Sequence, residues 1–286
     1  MDPLSLLWLF FVLASLQPAL TRQFLLAQRR RALAVISRRR KATVITLIHR
    51  QEQISLLGFP LVRYIDIDDA EGVLRAINET PDGKAIEIIL HTPGGMVVAA
   101  RQIATALADH DGPVTAVVPH YAMSGGTMIA MAADEIVLDA HACLGPVDPQ
   151  LGQNAAASVL AVAERPGDHD DQTLIMADLG RKAIAQVEGF TERMLRRHME
   201  PERATEVARL LSTGTWTHDH PLQFADVQRL GLPARVGVPD PERELMRLYP
   251  QPRGRPPAVE YVPGPRAPSL PARRQAQPGT DRSVRR

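Results

Sequence analysis

The chain has 286 residues and almost balanced charge, with a formal net charge of +1. Its length allows one large domain with appendages or two small domains. The single cysteine, Cys143, excludes an intramolecular disulfide and a zinc ribbon. Basic residues collect at the two ends, 22–41 and 250–286, without the regularly interleaved aromatic residues of a nucleic-acid surface. Composition therefore favours a folded body between basic ends, with no nucleic-acid partner.

The first segment, residues 1–21, predicts a membrane anchor. Its apolar stretch, 3–20, carries no charge and would be about 27 Å long as a helix, slightly short of a hydrocarbon core of roughly 30 Å. Asp2 precedes the stretch and the arginines follow it, the reverse of the charge order in a cleavable signal peptide. The positive-inside bias then leaves the body in the cytoplasm. We expect a single-pass membrane protein; the alternative is a helix lying on the membrane surface.

Strands and helices alternate along the body that follows. The basic stretch 22–41 predicts a helical stalk, and the proline- and arginine-rich stretch 250–286 predicts a disordered tail. The alternation between them predicts an α/β domain at 42–249 with a mainly parallel sheet. We expect strands at 42–48, 86–90, 114–118 and 135–138 and helices at 97–109, 124–133 and 172–199.

Two glycine turns stand where a predicted strand passes into a predicted helix. The first is His-Thr-Pro-Gly-Gly at 91–95, and the second is Tyr-Ala-Met-Ser-Gly-Gly-Thr at 121–127. Parallel sheets bind ligands at the carboxyl ends of their strands, where both turns fall. Ser124 in the second turn is placed to attack a carbonyl whose oxyanion main-chain N–H groups would hold. The pattern predicts acyl chemistry, and the alternative for Ser124 is a helix cap.

Six segments together closely resemble one known family, the serine dehydrogenase proteinases. The segments are SLLGFPLVRYIDID at 55–68, HTPGG at 91–95, HYAMSGGT at 120–127, AADEIVL at 132–138, LGPVDPQLG at 144–152 and GTWTH at 214–218. The family is a membrane-anchored branch of the Clp and signal-peptide-peptidase-A superfamily, and the resemblance covers about 42–262. It implies a Clp/crotonase-like spiral of ββα units, homo-oligomeric assembly, and serine peptidase activity on polypeptides without cofactor or metal. The peptidase domain, 42–249, would then face the cytoplasm.

The resemblance also implies roles for individual residues. Ser124 would be the nucleophile, and the backbone amides of Gly95 and Gly125 would form the oxyanion hole. Clp-type peptidases place a histidine about two dozen residues after the serine, where this chain has Asp148 between two prolines. Peptidases similar to signal peptide peptidase A use a lysine base instead.

The base is therefore expected to be a lysine. From residue 42 onward the chain has only Lys84, in a Pro-Asp-Gly-Lys turn, and Lys182, on the predicted helix 172–199. Burial against an apolar helix face would lower the pKa of a lysine into the range that a base needs. We expect a Ser124–Lys182 dyad.

Alternatives remain for the base and for the function. His218 and His220, with Asp219 between them, form a rival base set or line the substrate groove, and a metal site is a weaker interpretation of the same residues. The alternative function is a catalytically inactive membrane scaffold that binds proteins as an oligomer. An acyl-CoA activity of the crotonase type is less favoured, because that chemistry normally has no serine nucleophile at this turn.

Overall fold

The computed structural model describes residues 3–49 and 63–249. The predicted tail at 250–286 and most of the first family segment therefore lie outside the described residues. The strands are β1 (Thr43–Ile48), β2 (Ile86–His91), β3 (Val114–Val118), β4 (Tyr121–Ala122), β5 (Glu135–Leu138), β6 (Cys143–Leu144), β7 (Gln150–Leu151), β8 (Asn154–Ala155), β9 (Leu222–Gln223) and β10 (Ala234–Val236). The helices are α1 (Pro3–Arg40), α2 (Ile67–Asn78), α3 (Val97–Ala108), α4 (Gly125–Met131), α5 (Ala156–Ala163), α6 (Asp171–Leu195), α7 (Pro201–Ser212), α8 (Phe224–Arg229) and α9 (Asp240–Arg247).

A parallel sheet of five strands organises the body, in the order β1-β2-β3-β5-β10. Every residue of β2 is buried, as expected for a central strand covered on both faces. The apolar runs that predicted strands at 86–90, 114–118 and 135–138 form β2, β3 and β5. The mainly parallel α/β fold predicted from the sequence is confirmed.

The two faces of the sheet belong to different apolar clusters. Ile88 and Leu90 of β2 join a large cluster that includes residues of α2, α3, α4, α6 and α7. Ile89, between them, joins a smaller cluster with Ile36 of α1 and Leu245 of α9. Neighbouring residues of a strand point to opposite faces, so the two clusters lie on opposite sides of the sheet.

The first helix covers both of the segments predicted before the body. The predicted anchor at 1–21 and stalk at 22–41 lie on one helix, α1, which runs without a break from Pro3 to Arg40. Within 3–49 and 63–249, no helix combines the length and the apolar character needed to cross a bilayer. The predicted membrane-spanning helix is therefore not supported.

A small second sheet stands beside the carboxyl end of β2. Its order is β4-β6-β9, with β6 parallel to β4 and antiparallel to β9. A bridge between Thr92 and Ala122 joins it to the end of β2, and the Met123 amide donates to the Thr92 carbonyl at 3.0 Å. The residues that follow β2, β4 and β6 and those that precede β9 thus meet at one place.

Candidate active site

The two glycine turns lie against each other. A Cβ atom on Gly94 would be 2.8 Å from the Cβ of Ser124, and one on Gly126 would be 2.6 Å from the Thr92 Cγ2. Both distances are too short for any residue larger than glycine. A Cβ on Gly125 would lie 3.6 Å from the Gly95 nitrogen. The structure therefore brings the predicted residues Ser124, Gly95 and Gly125 together.

Ser124 has an unusual backbone conformation, with φ 50° and ψ −114°. Within the described residues only Ser124 and Lys41 are non-glycine residues with positive φ. Such strain costs about 1–3 kcal/mol, and it is found where a function requires it. Ser124 immediately precedes α4, yet its side chain makes no capping hydrogen bond. Ser124 thus occupies the position before the helix without capping it through its side chain, and the residue is partly exposed.

The backbone groups on either side of the Gly95 amide are hydrogen-bonded to Ile65. Ile65 donates to the Gly94 carbonyl and accepts from the Met96 amide, both at 2.8 Å. The Gly95 N–H shares a trans peptide group with the Gly94 carbonyl, so it points away from Ile65. A Cβ on Gly95 would be 2.3 Å from the backbone of Ile65, which excludes a side chain here. The Gly95 N–H therefore lies on the side of this segment opposite Ile65, and its nitrogen is near Gly125.

Thr127 connects the Ser124 turn to the loop that follows β6. Its buried hydroxyl donates to the Ala122 carbonyl at 2.8 Å and accepts from the Gly145 amide at 3.0 Å. A Cβ on Gly145 would be 2.5 Å from the Met123 Cε, so this loop packs directly on the residue before Ser124. The loop continues into Asp148.

Asp148 and His218 form a hydrogen-bonded pair on this side of the molecule. The His218 Nδ1 lies 2.9 Å from the Asp148 Oδ1, and the other carboxylate oxygen accepts from the Gln150 amide group at 2.7 Å. Asp148 is only 2% exposed, whereas a third of the His218 side chain is accessible. A buried carboxylate that orients an accessible imidazole is the arrangement of a general base.

The sequence did not predict this partner for His218. It suggested Asp219, which is exposed, whereas the observed partner lies 70 residues away in the chain. The signal available was the aspartate between two prolines in LGPVDPQLG. His220 instead stacks on Trp216, with ring centroids 5.7 Å apart.

Lys182 has surroundings unlike those expected for a base. Its side chain is 64% exposed, and its Nζ lies 2.5 Å from the Asp178 Oδ2, one turn earlier on α6. This hydrogen bond lowers the pKa of Asp178. The burial that would make this ammonium a base is not present.

Relatives with known sequences match most of the chain. Two uncharacterized proteins of Methanocaldococcus jannaschii are 45% and 46% identical to it, covering 90% and 93% of this chain and 89% and 96% of their own lengths. The membrane protein NfeD1b of Bacillus subtilis is 28% identical over 49% of this chain and 30% of its own length.

A solved structure and a family model match as well. The structure, a variant of the 1510-N membrane-bound stomatin-specific protease, is 18% identical, covers 72% of this chain and 82% of its own, and has a TM-score of 0.46. The family model is that of ClpP-like SDH-type serine proteinases, and it matches residues 1–276. This confirms the resemblance seen in the six sequence segments. The chain belongs to the family of ClpP-like SDH-type serine proteinases.

Proposed function

We propose that this protein is a serine peptidase that cleaves polypeptides with Ser124 as its nucleophile. The observation that carries the proposal is the Ser124 turn, where the backbone is strained and the hydroxyl makes no capping hydrogen bond to α4. The nearby amides of Gly95 and Gly125 would hold the oxyanion, and losing one such donor typically costs about 3 kcal/mol of barrier. Membership of a serine proteinase family supports the same reaction.

We infer that His218, and not Lys182, is the general base. The Ser124 Oγ attacks the scissile carbonyl while the His218 Nε2 takes the hydroxyl proton, and Asp148 stabilises the imidazolium through Nδ1–H. His218 then gives the proton to the leaving amine, and water releases the acyl group from Ser124 by the reverse sequence. The support is the His218–Asp148 pair, together with the convergence of the β4, β6 and β9 ends.

An extended polypeptide is the expected substrate. Gly95 forms a strand-like bridge with Ile65, and its own N–H points to the opposite side, where a substrate strand could pair. Met96, Val97 and Val98 continue from this edge with exposed side chains. These apolar groups favour a substrate with apolar side chains on that side of the scissile bond.

Hydrolysis of denatured casein by the full chain tests the proposal. We expect activity and covalent labelling by a fluorophosphonate probe, and both should disappear in Ser124→Ala. Equal labelling of the two proteins, or no hydrolysis by the wild type, would contradict a Ser124 peptidase. The second result would favour the non-catalytic scaffold.

Substitution of the two candidate bases ranks them. His218→Ala should lower kcat by about 10²-fold or more, a typical contribution of a general base. Asp148→Asn should also lower kcat, because the imidazole loses its anionic partner. Lys182→Ala and the neighbouring control His220→Ala should keep most of the activity. A larger loss in Lys182→Ala than in His218→Ala would restore the lysine dyad.

We also propose that the protein assembles as a homo-oligomer through α6. Leu174, Ile175 and Leu179 of this helix are about half exposed, although such side chains are usually buried. Asp171 begins the helix and Lys182 lies three turns later, so an antiparallel second copy of α6 would meet opposite charges. Sedimentation analysis of Ile175→Asp against the wild type would measure this contact.

We further propose that α1 brings the protein to an anionic membrane surface. The second half of this helix exposes arginines without acidic neighbours, which fits contact with lipid head groups. These arginines are Arg22, Arg30, Arg31, Arg38 and Arg39. The cytoplasmic orientation of the body stays a prediction.

A further inference from the structure

A buried hydrogen-bond chain runs beneath the loop that carries Gly95. His49 follows β1 and is 3% exposed, and Thr92 follows β2 and is fully buried. The His49 Nδ1 lies 2.9 Å from the Thr92 Oγ1, and the same oxygen accepts from the Gly94 amide at 3.2 Å. The Thr92 hydroxyl thus connects a buried imidazole to the peptide next to Gly95.

The other side of the imidazole is held by the first turn of α2. The His49 Nε2 lies 3.0 Å from the Asp69 Oδ2. Asp69 and Asp66 form a capping box, in which each side chain accepts from the other's backbone amide at 3.0–3.1 Å. Asp66 follows Ile65, the residue that pairs with the extended segment around Gly95. One helix start therefore fixes the Gly95 loop from two sides.

The ionised carboxylate of Asp69 determines which atom donates and which accepts in each of these hydrogen bonds. Burial alone would raise the pKa of Asp69, but the hydrogen bonds from His49 and from the Asp66 amide lower it below its usual range. An ionised Asp69 accepts from Nε2–H, so in the neutral ring Nδ1 is an acceptor; at 2.9 Å it is closer to the Thr92 hydroxyl than the Gly94 carbonyl oxygen, which is 3.4 Å away. The Thr92 oxygen then has a lone pair for the Gly94 N–H, and every group in the chain is satisfied.

We propose that Asp69, His49 and Thr92 are positioning residues that hold the Gly95 amide in the orientation needed for the oxyanion. The inference rests on the proposed peptidase function. Neither His49 nor Thr92 can touch a substrate, because both are buried. They act by fixing the peptide before Gly94, while Ile65 fixes the peptide after it. Displacing a donor by a fraction of an ångström matters most in the transition state, where the oxyanion carries charge.

Removal of the Thr92 hydroxyl tests this role by kinetics. Thr92→Val keeps the shape of the side chain, and we expect kcat for a fluorogenic peptide to fall about tenfold or more while KM stays within about threefold. Thr92→Ser keeps the hydroxyl and should restore most of kcat. The matched control is Thr80→Val at the end of α2, which removes the hydrogen bond from the Thr80 hydroxyl to the Ala76 carbonyl. A similar kcat in Thr92→Val and Thr80→Val would overturn the inference.

A second measurement keeps the inference separate from the peptidase proposal. Amide hydrogen exchange of residues 91–96 should become about tenfold faster in Thr92→Val and stay unchanged in Thr80→Val, also in a Ser124→Ala background. Absence of Ser124-dependent hydrolysis in the wild type would contradict the proposed function. The exchange rates would still decide whether the hydrogen bonds from Asp69 through His49 to Thr92 hold the loop at 91–96. Unchanged exchange in Thr92→Val would contradict the positioning role.

Discussion

Ser124 occupies a backbone conformation that would suit glycine better than serine. Its φ of 50° places it among the strained positions of the described chain, between Met123 and the two glycines that begin α4. A residue that breaks local preferences without a packing gain is expected at a functional site. The Ser124 hydroxyl does not bind the helix amides that an ordinary cap would bind. Stability and reactivity therefore favour different residues at this position.

This conflict predicts that glycine at position 124 stabilises the fold but abolishes the activity. Ser124→Gly should raise the free energy of unfolding by about 1 kcal/mol relative to Ser124→Ala, because glycine relieves the strain that alanine keeps. Both variants should be inactive. Urea unfolding of the two variants measures the difference without any contribution from the hydroxyl. An alanine variant as stable as the glycine variant would show that the turn is not strained.

The proposed nucleophile and the proposed base differ in how far the sequence could point to them. Ser124 stands in a local pattern of small residues, and the close approach of the two turns leaves room for little else. The base depends on which distant side chains meet and how deeply they are buried. Scarcity of lysine favoured Lys182, but the ion pair with Asp178 and the exposure of its helix face appear only in three dimensions. The His218–Asp148 pair is likewise a tertiary contact.

At the scale of elements, α1 is part of the folded body. Ile36 is 1% exposed and shares a cluster with Ile89 and Leu245. Arg29 donates to the Leu248 carbonyl at 2.8 Å and places its guanidinium 3.9 Å from the centre of the Tyr249 ring. The sequence suggested only a basic helical stalk here, because arginines dominate the composition and the apolar residues that pack on the body are few and spaced along a long helix.

The packing of α1 predicts where the chain can be shortened. A chain that starts at residue 22 keeps Ile36 and Arg29 in place and should unfold near the temperature of the full chain. A chain that starts at residue 42 loses them and uncovers Ile89, Val117 and Val137 of the sheet. Burial of these groups is worth on the order of 5 kcal/mol. Calorimetry of both chains measures the loss, and equal unfolding temperatures would show that α1 does not stabilise the body.

At the scale of the whole molecule, the sheet could be predicted because its signals are local. Strands β2, β3 and β5 are mainly apolar runs, and each is followed by a turn or a helix. The small sheet could not be predicted, since its strands have two residues each and exist through pairing alone. That sheet nevertheless brings the Ser124 turn, Asp148 and His218 to one side. The fold was therefore more predictable than the site.

A buried ionic cluster joins α1, the sheet and α9 on the face opposite α2 and α3. The Arg40 Nε lies 3.2 Å from the Glu87 Oε2 and 3.0 Å from the Glu242 Oε1. Glu87 and Glu242 are 4% and 1% exposed. Arg235, which pairs with Glu135 at the surface, is the next positive charge. One arginine thus pairs with two buried carboxyl groups. Ionising both of them costs free energy, because both are desolvated and their charges repel.

This cluster predicts that stability falls as pH rises through the slightly acidic range. Burial first, and the charge of Glu242 second, raise the pKa of Glu87 from 4.5 to about 7 despite the opposing effect of Arg40. Between these values the folded protein holds a proton that the unfolded chain has released. Raising the pH therefore lowers the free energy of unfolding, by on the order of 3 kcal/mol across the window and by nothing further above it.

Substitution isolates the contribution of the cluster from that of other titrating groups. Glu87→Gln keeps the side-chain shape without the ionisation, so urea unfolding at about pH 5 and about pH 8 should show a smaller decrease than in the wild type. Glu242→Gln should have the same effect, because Glu87 is then left alone beside Arg40. Glu135→Gln is the control: this carboxyl is 42% exposed and pairs with Arg235, so the pH dependence should persist. The prediction is wrong if Glu87→Gln loses as much free energy of unfolding as the wild type between the two pH values. The proton bound by the folded protein would then not be on Glu87, and the ionic cluster that joins α1, the sheet and α9 would not respond to pH.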